Sequence, residues 1–118
     1  MGVSFTMAFL TAIDGGAGIV RQTAQADTLV ASCLASFAAG DITALYDLGV
    51  AFSTGSQGCA CDLIEAHKWF NITAARGHEE AALCRADVAD EMTAREIAEA
   101  QRQAREWLRI DSAERRAA

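Results

Sequence analysis

The sequence predicts an all-α domain of about five helices, and three observations carry that prediction. Proline is absent from all 118 residues while alanine recurs throughout, so the strongest helix breaker is missing and the best helix former is plentiful. From Asp27 onward apolar residues return at three- and four-residue steps, the spacing of one buried helix face. Glycines then close successive runs, as suits a left-handed residue past a helix end. At 52% apolar residues the chain can build a core, and its length fits one domain.

The N-terminal stretch Val3 to Ile13 admits two readings. Val3, Phe5, Met7 and Phe9 alternate as in a strand, whereas Phe5, Phe9 and Leu10 share a helical face; period alone does not decide so short a run. Gly15, Gly16 and Gly18 predict a break, so residues 1–25 are expected to form an arm, docked or flexible. The apolar run lacks a basic flank and ends at Asp14, too short for a membrane span and unlike a secretory signal. The four cysteines, Cys33, Cys59, Cys61 and Cys84, are therefore expected as reduced thiols in the cytoplasm.

Helix one is predicted from an Asp27 cap through Leu29, Val30, Cys33, Leu34 and Phe37 to Gly40. Asp41 is the expected cap of helix two, whose stripe is Leu45, Leu48, Gly49 and Phe52, with Tyr46, Asp47 and Val50 turned elsewhere. A mid-helix glycine costs about 1 kcal/mol against alanine, so Gly49 implies close approach by a neighbour. After Gly55 and Gly58, Asp62 caps helix three, which carries Ala66, Trp69, Phe70, Ile72, Thr73 and Ala74 and stops at Gly77. Gly77 follows Gly40 by 37 residues, the period of a helix-turn-helix repeat. Helix four is predicted over Glu79 to Glu91, with Ala81, Ala82, Cys84, Val88 and Ala89 inward. Thr93 and Glu96 form a capping box for helix five, with Ile97, Ala100, Ala104, Trp107 and Leu108 on one face. The folded domain is thus expected over 26–110, and 111–118 as a frayed tail.

The run Leu48-Gly49, Phe52, Gly55, Asp62, Ala66, Trp69-Phe70, Ala74-Ala75, Gly77 and Ala81 resembles the Sel-one-like repeat, a relative of the tetratricopeptide repeat. It departs from that pattern at Ala75-Arg76-Gly77, one residue shorter before the glycine, and at Cys59-Ala60-Cys61, where a Gly-Val turn is common. The resemblance implies a tetratricopeptide-like, right-handed stack. Helices four and five would be the terminal cap seen in small bacterial proteins of this kind, and helix one half of a degenerate preceding repeat. It further implies a scaffold without cofactor or catalysis, in which the first helix of each pair lines a concave groove. The groove positions carried over are Thr43, Tyr46, Val50 and Ser53 on helix two and Glu80, Leu83, Asp87 and Asp90 on helix four. One aromatic anchor above an acidic floor would favour a basic or amphipathic protein or peptide. One full repeat is short for a solenoid, so the arm, or a second copy docked through Phe5, Phe9 and Leu10, is the other candidate to supply burial.

Other chemistries are constrained by the same residues. A net charge of −6 and a pI near 4.7 argue against nucleic acid, which needs clustered cations. Cys59 and Cys61, with His67 or Cys84, form the alternative, a soft-metal or redox turn; no second C-x-x-C pair supports it, and metal ligation is not favoured. A Cys-His pair at the Asp62 helix start, its thiol lowered by the helix dipole, lacks an orienting third group. The many carboxylates read as solvated faces, Glu91 with Arg95 four residues on and Glu65 with no partner in Trp69. Trp69 and Trp107 read as core anchors. The GGAG run at 15–18 precedes no lysine and makes no phosphate loop.

Overall fold

The computed structural model describes residues 16–117, with side chains from Ala24 onward. Five helices follow one another: α1 (Gly16–Ala38), α2 (Thr43–Thr54), α3 (Leu63–Ala75), α4 (Glu79–Ala89) and α5 (Ala94–Ala117). The all-α stack is as the sequence predicts. The expectations placed on Phe5, Phe9 and Leu10 lie outside the described residues, as does the rest of the arm up to residue 15.

The centre of the stack is α3, which packs against α2, α4 and α5, while α1 packs against α2. Ala66, Trp69, Phe70, Ile72 and Thr73 are all buried, a band too broad for a helix with one neighbour. The hydroxyl of Thr73 donates to the Trp69 carbonyl at 2.6 Å, which lets a polar residue sit in the core. From α2 the predicted stripe of Leu45, Leu48, Gly49 and Phe52 is buried against it. The glycine is explained by contact: a Cβ at Gly49 would lie 2.7 Å from two ring carbons of Phe70. An aromatic chain then ties three helices, with Trp69 edge-on to Trp107 at 6.0 Å and Trp107 edge-on to Phe37 at 5.8 Å.

Several helix ends follow their predicted chemistry. Asp62 accepts from the Glu65 amide at 3.2 Å. Thr93 and Glu96 exchange both bonds of the capping box, at 3.1 and 2.8 Å. Gly40 and Gly77, 37 residues apart, both take positive φ, 110° and 99°. Asp41 acts one residue early, accepting from the Thr43 amide at 3.0 Å while Ile42 occupies the N-cap.

The ends of the chain differ from the sequence reading. Neither a break at Gly16 and Gly18 nor a cap at Asp27 is found: α1 runs from Gly16 straight through Asp27, so residues 16–25 are helical. Glycine makes a helix costlier without forbidding it, and no proline intervenes to end the hydrogen-bond ladder. Residues 111–117 are likewise helix instead of a frayed tail. Asp111 accepts from Arg115 at 2.8 Å and from Arg76, which caps α3, so the last turns are tied to the stack. Helix α4 ends at Ala89, leaving Glu91 off the helix that carries Arg95, and no Glu91–Arg95 ion pair forms among the described residues. Glu65, read as unpartnered, accepts from the Trp69 indole at 3.1 Å and from Lys68. No helix among the described residues is long and apolar enough to cross a membrane.

Candidate functional site

Helices α2 and α4 face each other across a shallow groove over α3, and its two ends are chemically different. At one end Tyr46 is the bridge. Its hydroxyl is 3.6 Å from Cys84 Sγ on α4, its ring stacks on His78 at 4.7 Å and 15°, and its other side meets Phe70 at 5.7 Å. The hydrogen bond to Cys84, then burial, then the negative charge of Glu80 push its pKa up to about 12; the phenol stays neutral at ordinary pH. His78 is held in turn because Nδ1 accepts from the Ala81 amide at 3.1 Å, capping α4.

At the other end a cleft of about 250 Å³ is lined by Ser53, Cys61, Leu63, Asp87, Val88 and Glu91. Leu63 and Val88 supply apolar wall, Asp87 and Glu91 carboxylates. Ser53 points its hydroxyl to the Val50 carbonyl at 2.9 Å, and Cys61 Sγ lies 3.6 Å from the Ser53 carbonyl. Glu80, Asp87, Asp90 and Glu91 are exposed, and none enters an ion pair among the described residues. Leu83 stands among them 69% exposed, an apolar side chain that no neighbour covers.

Of the eight positions carried over from the repeat, the structure brings Ser53 and Asp87 to one cleft and places Glu80 close enough to Tyr46 to act on its titration. Leu83 and Asp90 are exposed on or just past α4, and Thr43 is exposed at the start of α2. Tyr46 and Val50 differ from expectation: both are half-buried and packed against the core. A helix resting on two neighbours has a wider buried arc than its strongest stripe indicates. Sequence reasoning missed Glu91, Val88, Cys84 and His78 as groove residues. The signal for His78 was its place between the stop glycine and Glu79-Glu80, where a cap is needed; histidine is an unusual residue for it.

The two cysteines of the turn sit in different surroundings. Cys59 is buried and Cys61 exposed, and no three His, Cys, Asp or Glu side chains among the described residues come together to hold a metal. Burial, with Glu65 adding to it, pushes the Cys59 thiol up, opposite to the activation expected at a helix start. His67 is 2% exposed, its Nδ1 without a hydrogen-bond partner. Its pKa is pushed down by burial and then by Arg85, whose guanidinium donates to Asn71 at 2.8 Å. It is a neutral core residue. All four thiols are free.

Comparison of the chain with protein-family models, with curated proteins and with solved structures finds no match.

Proposed function

We propose that this protein is a non-catalytic adaptor of the Sel-one-like kind, whose α2–α4 groove binds a basic, amphipathic segment of a partner protein. The observation that carries the reading is the cleft joining Ser53 of α2 to Asp87 and Glu91 beside α4, with exposed Leu83 beyond it. A lysine or arginine can lay its methylene stem along Leu63 and Val88 and its charge against the two carboxylates, while Leu83 takes an adjoining apolar side chain. Helices that are already formed present most of this surface, which limits the ordering cost of binding. The repeat pattern of residues 44–81 supports the same reading, and the cytoplasm is the compartment proposed for it.

Tyr46 is a poor test residue because truncating it also removes core contact. The double variant Asp87→Lys/Glu91→Lys reverses the cleft's charge at exposed positions. Affinity capture from the native lysate with this variant is expected to lose partners that the unaltered protein retains. Recovery of the same partners at the same yield would refute the groove.

A further inference from the structure

A second cleft, of about 520 Å³, lies where the C-terminal ends of α1 and α5 meet. Its size falls in the range of ligand sites, about 300–1,000 Å³. Phe37 and Trp107 form an aromatic corner, with rings 5.8 Å apart at 62°. Leu34, Ala38 and Ile110 add apolar wall, and Ile110 is 44% exposed. The polar groups are Asp111, Glu114 and Arg115. Aromatic faces beside carboxylates are the surroundings that hold an organic cation.

One cation is already there. The Arg115 guanidinium sits 5.4 Å from the centre of the Phe37 ring and donates to Asp111 at 2.8 Å. Its side chain is nevertheless 56% exposed, so it covers the corner without filling the cleft. Glu114 enters no ion pair among the described residues. We infer that this cleft is a receptor for an arginine side chain of a partner peptide, one flanked by an apolar residue, and that Arg115 covers its aromatic corner in cis until displaced. Arginine suits the corner better than lysine because its planar fork stacks on an aromatic face while pairing with a carboxylate. The apolar neighbour follows from exposed Ile110 beside half-buried Leu34. The site is separate from the α2–α4 groove and stands or falls independently of it.

The test is an NMR titration of the full chain with acetyl-Leu-Arg amide and with its neutral citrulline counterpart, read at the two tryptophan indoles. Trp107 lines the cleft, while Trp69 is 3% exposed and bonded to Glu65 but lies edge-on to Trp107 at 6.0 Å, so the integrity of the fold is read separately, by circular dichroism. The arginine probe is expected to shift Trp107 more than its neighbour Trp69 at an unchanged circular dichroism spectrum, and the citrulline probe to shift neither. Arg115→Ala removes a tethered competitor; with the corner covered in cis at least half of the time, the Kd of the arginine probe should fall about twofold or more. Glu114→Gln should raise it severalfold. If Arg115→Ala itself lowers the helical circular dichroism signal, Arg115→Lys takes its place with the same direction expected. Equal shifts from the citrulline probe, or a Kd that does not fall in the Arg115 variant, would overturn the inference.

Discussion

Replacing Gly49 by alanine should destabilise the protein, although helix propensity alone says the reverse. In a helix interior alanine gains about 1 kcal/mol over glycine. Here the new methyl would lie 2.7 Å from Cδ1 and Cε1 of Phe70 and 3.1 Å from Cζ, against an optimal carbon separation of about 3.5–4.0 Å. Phe70 is 1% exposed and its ring is backed by Tyr46 at 5.7 Å, so it has no vacant space to move into. Overpacking of this kind costs about 1–3 kcal/mol, and the tightness of the contact places this case at the upper end. The net expectation is a loss of about 1–2 kcal/mol, or about 3–12 °C in Tm for a chain of this size. Urea unfolding followed by circular dichroism should show a lower midpoint at an unchanged slope. Phe70→Leu in the same chain should recover part of the loss, giving a coupling of about 1 kcal/mol in a double-mutant cycle. A Gly49→Ala protein as stable as the original, or additive effects in the cycle, would refute the contact as the reason for the glycine.

Two further outcomes concern titration. His67 has a folded pKa below its ordinary 6.5, so the unfolded chain binds that proton more readily. The stability it contributes is full above that value and is lost as pH falls below it toward the folded pKa; the urea midpoint should drop between pH 7 and pH 5, and His67→Leu should flatten that part of the profile. Tyr46 is the chain's one tyrosine, so tyrosinate absorbance reports it alone. The midpoint should lie about 12 and move toward the ordinary value of 10.0 in Cys84→Ala, and because the folded pKa is the higher one, this residue's stabilising contribution declines as pH rises above 10.0. A midpoint unmoved by that variant would show that the thiol is not the cause.

What was legible in advance was local. The Asp62 cap, the Thr93–Glu96 box, the left-handed Gly40 and Gly77 and the stripe Leu45, Leu48, Phe52 each depend on residues within a few positions of one another, and each is present. The start of α1 misled because a cap or a glycine is only a local preference, worth about 1 kcal/mol, and the last residues because fraying is expected only of a terminus that nothing ties down. At the C-terminus, Arg76 and Phe37 hold Asp111 and Arg115. The candidate site was half legible: spacing put Ser53 and Asp87 on the right helices, but Glu91 and Val88 join them only through the fold.

The sequence by itself determined that this is a run of helices, where most of them turn, and which faces must be buried, because those properties arise from short-range backbone chemistry and periodicity. Only the tertiary structure decided that Tyr46 bridges two helices instead of facing solvent, that Cys59 is sealed away while Cys61 opens onto a cleft, and that Arg115 lies on Phe37. Those outcomes depend on which surfaces meet across dozens of residues, and burial and charge at such meetings have no local signature.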